Sequence, residues 1–132
     1  MLFMFWGCKS LIKLNLSHFN TENVENMQGM FKNCYKLKEL DVSNFNTEKV
    51  TNMCEMFNDC TVLEKLNLKN FNNINCENML GMFADCKFLS ELDLSKFNTK
   101  NFKHHPWLFA GCDRLRRDKV ITNDERLLHG LK

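Results

Sequence analysis

The residues of this chain most able to do chemistry are cysteines, of which the 132 residues include seven. Five of them recur every 26 residues without an insertion: Cys8, Cys34, Cys60, Cys86 and Cys112. A thiolate can act as a nucleophile, bind a transition metal or form a disulfide. Each role requires a particular neighbour, so the cysteines have to be considered together with the elements that position them.

The cysteine spacing argues against disulfides and against a common zinc site. No Cys-x-x-Cys pair is present. Equivalent side chains on stacked parallel units lie about 4.8 Å apart or more, whereas a disulfide prefers Cβ atoms about 3.8 Å apart. The five regularly spaced cysteines are therefore predicted to form a reduced, buried structural ladder. Cys76, which replaces Val24 and Val50, is predicted to lie in the core, and Cys54 is the candidate for an exposed thiol.

His104, His105 and Cys112 form the one cluster with metal-ligand residue types. Adjacent histidines point to different faces of a helix and no fourth ligand is evident, so we predict no metal site. A catalytic cysteine needs an orienting histidine, and nothing in the sequence assembles that pair. With only five glycines, the chain has no glycine-rich phosphate loop. The sequence therefore predicts no catalytic residues, no cofactor and no enzyme.

The 26-residue period extends to many other positions and predicts a repeat protein. Apolar and polar columns keep the register of the cysteines, and they start at Phe5, Leu11, Leu14, Leu16, Phe19 and Asn26. KLKELDVSNF alternates apolar and polar residues as a half-buried strand does, whereas VENMQGMFKNC spaces its apolar residues as one face of a helix does. Asn26 is predicted as the N-cap of that helix, although part of NVENM could instead form a second short strand.

A unit of this size cannot bury its own apolar face, so neighbouring repeats must stack. We predict an α/β repeat fold, a solenoid of about four to five 26-residue coils, each with a short parallel strand and a short helix. Packed helices are more widely spaced than paired strands, which predicts a concave strand face. Residues 1–117 are predicted to form this single domain, starting mid-repeat. Residues 118–132 are predicted to be a degenerate tail whose short helix, between Asn123 and Gly130, caps the open end.

Composition and charge exclude several classes of partner. With 44% hydrophobic and 26% charged residues, the chain is typical of a globular protein. A net charge of +2, with basic and acidic residues interspersed, gives no footprint for nucleic acid. The apolar start MLFMFWGCKS has no basic leader or small-residue cleavage site, and no run of about 20 apolar residues follows. No signal peptide or membrane insertion is therefore predicted, and the localisation is left open.

The repeat resembles that of a known family. The segments LIKLNLSHFNTENVENMQGMFKNC and LKELDVSNFNTEKVTNMCEMFNDC, together with the next two repeats, are similar to the 26-residue repeat of the BspA-like leucine-rich repeat surface proteins, also called DUF285 in mycoplasma-type proteins. This resemblance covers roughly residues 4 to 115. It implies a leucine-rich-repeat-like solenoid and a cell-surface or secreted protein with an adhesion or protein-binding role. It implies no catalytic residue.

Two interpretations of the function remain open. In the first, the outward strand positions bind a protein or a glycan. These positions are Lys13, Glu39, Lys65 and Glu91 in one column, extended by Arg117, and Asn15, Asp41, Asn67 and Asp93 in the next. The alternating charges of the first column would also fix the register of adjacent strands. In the second, the chain is a structural repeat fragment of a larger protein without a ligand. It then self-associates through an open end where Leu2, Phe3, Phe5 and Trp6 are exposed.

Overall fold

The computed structural model describes residues 1–98, 100–101 and 107–132. In this part of the chain the backbone winds in stacked turns of about 26 residues, which we call coils. Regular elements are short, and the described part holds no helix of seven residues or more. The regular elements are β1 (Glu39–Asp41), β2 (Lys65–Asn67), β3 (Leu92–Asp93), a 3-10 helix (Arg117–Lys119), β4 (Val120–Ile121) and a second 3-10 helix (Glu125–Leu128).

The strands pair in parallel between successive coils. In one sheet β1 pairs with β2, with Leu40 opposite Leu66, and in the other β3 pairs with β4, with Leu92 opposite Val120. The alternation of KLKELDVSNF predicts this strand, since Leu40 is buried while its neighbours on both sides are exposed. The side chains on either side of the leucines therefore form an exposed strand face.

The prediction of an α/β solenoid with a helix in each coil is wrong. The segment from Met27 to Cys34 and its equivalents form consecutive four-residue turns, and we call these the turn segments. Met30 N–H donates to the Met27 carbonyl and Cys34 N–H donates to the Phe31 carbonyl. Parallel bridges link Asn26 to Asn52 and Asn52 to Asn78, so the alternative of a second strand near NVENM is closer to the structure.

Hydrogen bonds between coils replace the helical ones. The N–H groups of Met27, Gly29, Phe31 and Asn33 donate to carbonyls 25 residues further on, each at 2.9 Å; the acceptors are Asn52, Cys54, Met56 and Asn58. In a helix each of these N–H groups would instead bind the carbonyl four residues earlier. Because every second N–H points to the next coil, the turn segments join the coils as strands would.

Left-handed backbone conformations explain why the helical spacing misleads. Gly29 has a φ of 57° and Asn33 has a φ of 64°, at the third position of their turns, as a type II turn requires. The column of Asn33 contains only glycine, asparagine and aspartate: Gly7, Asn33, Asp59, Asp85 and Gly111, all with positive φ. These residue types tolerate positive φ best. Two such turns in succession also space Met27, Met30, Phe31 and Cys34 by three, one and three, and all four are fully buried.

Columns of identical side chains fill the core. Phe57 stacks between Phe31 and Phe83, with ring centroids 5.6 and 5.7 Å away and interplanar angles of 2° and 5°. A second ladder joins Phe19, Phe45 and Phe71 on the strand side. Offset stacking of this kind adds to the hydrophobic stabilisation that burial of the rings provides.

Buried polar side chains also connect the coils, between each strand and the turn segment that follows it. Thr47, fully buried, donates from Oγ1 to the Asn72 carbonyl at 2.8 Å and accepts from Asn72 N–H at 2.9 Å. Thr21 makes the same two bonds to Asn46. In the next coil Asn73 replaces threonine and bonds both backbone groups of Asn98 with its amide. The threonine of the NFNT motif therefore supplies hydrogen-bond partners to the backbone N–H and carbonyl groups of the next coil.

The C-terminal tail continues the stack beyond residue 117. Because Leu92 pairs with Val120, the offset here is 28 residues, and the 3-10 helix Arg117–Lys119 accommodates the extra length. The second 3-10 helix begins after Asp124, whose side chain accepts from Arg126 N–H, so the predicted N-cap at Asn123 is one residue early. Leu127 and Leu128 are buried against the core, as a cap requires.

Candidate functional site

An open groove of about 810 Å³ lies over the exposed strand face. It crosses residues 12–14, 38–41, 65–67 and 91–93, and it ends at Asp118, Lys119 and Ile121. Leucines from successive coils form its floor; Leu40 and Leu92 are buried, and Leu14 and Leu66 are half-buried. A concave surface of this size with an apolar floor and polar edges has the general character of a binding site.

The charged column of the strand face forms one ion pair among the described residues. Lys65 Nζ lies 2.8 Å from Glu39 Oε1, and both side chains are largely exposed. The hydrogen bond from Lys65 lowers the pKa of Glu39, and the same bond raises the pKa of Lys65. Lys13 and Glu91, also predicted as site residues, line the groove and act on this pair at longer range.

The structure changes the last member of this column. Arg117 shares the 26-residue period with Glu91, but it lies in the 3-10 helix. The register of β3 and β4 instead places Lys119 beside Glu91. The alternation of sign therefore continues through Lys119. The 26-residue period gives no signal for this residue, because two extra residues break the period before β4.

The second predicted column has a structural role. The Oδ1 atoms of Asn15, Asp41, Asn67 and Asp93 accept hydrogen bonds from the backbone N–H two residues on, at 2.9 to 3.2 Å. Hydrogen bonds from Ser43, led by its side chain, lower the pKa of Asp41. These side chains hold the turns that follow the strands, so the charged column is the better candidate for recognition.

Apolar and charged residues outside the predicted columns also belong to the groove. Ile12 and Ile121 are 65% and 63% exposed at its two ends. Lys38 adds a second positive charge beside Lys13, and Asp118 adds a negative charge near Glu91. The period gives no signal for Ile121 or Asp118, because both follow the point where it breaks.

The asparagine column has the predicted side-chain bond without the predicted helix. Asn26, Asn52 and Asn78 accept from the N–H groups of Gln28, Cys54 and Leu80 at 2.9 to 3.0 Å. The N-cap residue of a helix accepts a similar bond, but here the accepting asparagine immediately precedes a turn segment and not a helix. These asparagines are therefore backbone supports and not ligand contacts.

The cysteine ladder lies within the core. Cys34, Cys60, Cys86 and Cys112 are buried, and each Sγ donates to the carbonyl of a phenylalanine 29 residues earlier, at 3.0 to 3.3 Å. Cys8, in the first coil, is half-buried, and all seven cysteines are free. Burial raises the pKa of Cys34 to about 11 and that of Cys112 to about 12, and it raises the pKa values of Cys60 and Cys86 further.

The prediction of an exposed Cys54 is wrong. The side chain is only 6% exposed, because it lies in a column between the larger Gln28 and Leu80 of the adjacent coils. Burial and the nearby Glu55 carboxylate raise its pKa. Cys76 is fully buried, as expected for a residue that replaces valine, and burial raises its pKa to about 11.

The burial of the cysteines predicts the order in which their thiols react. In native protein at pH 8, Cys8 should be alkylated first, and Cys60 and Cys86 at least about tenfold more slowly, because a buried thiol is rarely a thiolate. Iodoacetamide labelling followed by mass spectrometry of peptides measures each site. All seven should react alike in urea, which is the control. Native labelling of Cys60 as fast as that of Cys8 would contradict the buried ladder.

Metal ligation by the histidine pair lies outside the described residues, which exclude His104 and His105. Within the described part, no group of three or more histidine, cysteine, aspartate and glutamate side chains is arranged to hold a metal ion. In the same part, none of the helices has the length and apolar character that a membrane span requires.

Comparison with known proteins gives one match. A search of curated proteins and a search of solved structures each returned nothing similar. A family model described as "Mycoplasma protein of unknown function, DUF285" matches residues 1–123, and so includes every strand of the groove. The chain belongs to the DUF285 family.

Proposed function

We propose that this chain is a non-enzymatic scaffold that binds an extended polypeptide segment along its strand face. The observation that carries the proposal is the groove of about 810 Å³ over successive strands. The resemblance of the repeat to BspA-like leucine-rich repeat surface proteins supports the same role, with adhesion at a cell surface as its biological form.

The shape and chemistry of the groove favour a polypeptide. It crosses several coils, so a ligand that fills it must be long, and its leucine floor takes apolar side chains. Its two ends differ in net charge: Lys13 and Lys38 are offset by Glu39 and Asp41 at one end, whereas Glu91, Asp93 and Asp118 outnumber Lys119 at the other. A segment with apolar residues along its length and basic residues at the end that meets Glu91, Asp93 and Asp118 is therefore the complementary ligand.

The competing explanation is that the charged column only fixes the register of the strands. Glu39 and Lys65 are direct partners in the β1–β2 pairing, so their ion pair does favour this register. Fixing the register, however, does not require the excess of negative charge at one end of the groove. The two roles are separable by exchanging the charges while keeping the pair.

The test uses a random peptide library displayed on phage and selected on the immobilised protein. Peptides recovered from the selection are then measured by fluorescence polarisation against wild type, Glu39→Lys, and the double exchange Glu39→Lys with Lys65→Glu. We expect both variants to bind at least about tenfold more weakly, because charge complementarity to the groove is lost. The double exchange should have the stability of the wild type, because it keeps the ion pair.

Lys69→Glu is the matched control, since Lys69 is exposed but does not line the groove. It should bind the peptides as the wild type does. Failure to select any peptide, or equal binding by the double exchange, would leave the charged column with its structural role and would sink the proposed function.

A further inference from the structure

The first coil presents a row of hydrogen-bond acceptors on its outer edge. Its N–H groups at Phe3, Phe5 and Gly7 donate inward, to carbonyls of the second coil at 2.8 to 3.0 Å. In each following coil the alternate carbonyls accept from the coil before. The equivalent carbonyls of the first coil belong to Leu2, Met4 and Trp6, and among the described residues no donor reaches them.

Side chains at this edge are exposed where their equivalents are buried. Met4 is 49% exposed, whereas Met30, Met56 and Met82 in the same column are fully buried. Leu2, Phe3 and Trp6 are also exposed, at 40% or more. The edge therefore has the sequence and the backbone of an internal coil–coil interface, and its side chains are exposed.

The opposite end of the stack carries the complementary groups. Within the described part, the carbonyls of Leu108 and Ala110 accept from Phe83 and Asp85, while the N–H groups of Trp107, Phe109 and Gly111 have no acceptor there. The tail covers the core at this end, yet Trp107, Ala110 and Gly111 are exposed. This edge offers donors two residues apart, at the spacing of the acceptors of the first coil.

We propose that copies of this chain associate head to tail, with residues 2–6 of one copy pairing with residues 107–111 of another. The pairing repeats the hydrogen-bond pattern between neighbouring coils, because the two segments occupy equivalent positions of the 26-residue repeat. Phe3 lies over Gly29 of the next coil, where an added Cβ would meet its ring. By the same geometry Trp107, 71% exposed, would lie over Phe3 of the following copy.

The hydrogen-bond polarity determines the symmetry of the assembly. Two acceptor edges cannot hydrogen-bond to each other, so backbone pairing between two copies of residues 2–6 is excluded. A head-to-tail contact leaves one edge of each kind free after every addition, and the assembly grows as an open chain. This association is made by residues 2–6 and 107–111, none of which lines the strand-face groove.

The experiment mixes two variants, each blocked at one end. Phe3→Glu with Met4→Glu puts charges where docking would bury them, and Trp107→Glu with Ala110→Glu does so at the other edge. Glutamate already occupies the column of Phe3 and Trp107 at positive φ in Glu55, so the backbone accepts it. Matching circular dichroism spectra and melting temperatures establish that both variants fold as the wild type does.

Light scattering coupled to size exclusion gives the outcome. The wild-type mass should rise with concentration past that of a dimer, each variant alone should be monomeric, and the mixture should form a one-to-one dimer that grows no further. Lys36→Ala with Lys69→Ala changes the net charge equally, away from both edges, and should associate as the wild type does. A wild type that is monomeric at every concentration, or variants that do not complement each other, would overturn the proposal.

Discussion

Replacing Phe57 with alanine is expected to lower the free energy of unfolding by about 3 to 5 kcal/mol. The ring is fully buried and stacks on both sides, against Phe31 and Phe83. Alanine leaves a cavity that the rigid ladder cannot close, because the rings above and below are fixed by their own coils. A loss of this size is a large part of the roughly 5 to 15 kcal/mol that stabilises a typical domain.

Urea denaturation of both proteins, followed by circular dichroism, measures the difference. Phe88→Ala is the matched control, because Phe88 is 37% exposed and contacts Arg114 at the surface. We expect that control to lose under about 1 kcal/mol. If Phe57→Ala lost no more than Phe88→Ala, the phenylalanine ladder would not be the core of this stack.

Replacing Thr47 with valine is expected to destabilise the protein by roughly 2 to 4 kcal/mol, although the two side chains have nearly the same shape. The hydroxyl group both donates to and accepts from the backbone of Asn72. Valine removes this partner and leaves the N–H and carbonyl of Asn72 without a hydrogen bond at a site that is poorly accessible to water. The cost is therefore that of two unsatisfied polar groups.

Thr47→Asn provides the rescue control. Asn73 does the same work one coil further on, with its amide bonded to the N–H and carbonyl of Asn98. Asparagine at position 47 should therefore restore most of the stability that valine loses in the same urea titration. Equal stability of the valine variant and the wild type would mean that the buried hydroxyl is not needed to join the coils.

The repeat predicts the contacts of this fold better than its secondary structure. Columns such as Phe31, Phe57 and Phe83 meet as the period requires, since equivalent residues of stacked coils must be neighbours. The helix was predicted from the spacing of apolar residues, which two successive turns reproduce. The signal against the helix was present in the column of Asn33, Asp59 and Asp85, because residues that favour positive φ are not expected at one place in every helix.

The candidate site was predicted in part. The strand alternation located the exposed face and its charged column, because residues on either side of a buried leucine point to the same surface. The alternation does not distinguish Asp41 from Lys65. Asp41 supports a turn, whereas Lys65 pairs with Glu39 at an exposed position where a ligand can also reach it. Lys119 and Ile121 were missed because their place depends on a pairing that the 26-residue period does not contain.

The most direct test of the binding role is a map of where a selected peptide contacts the protein. Titration of the ¹⁵N-labelled chain with that peptide, followed by amide chemical shifts, covers every coil at once. The account predicts that the largest shifts fall within Glu39–Asp41, Lys65–Asn67 and Leu92–Asp93, the strands beneath the groove. Shifts confined to residues 2–6 and 107–111, with none on these strands, would contradict it.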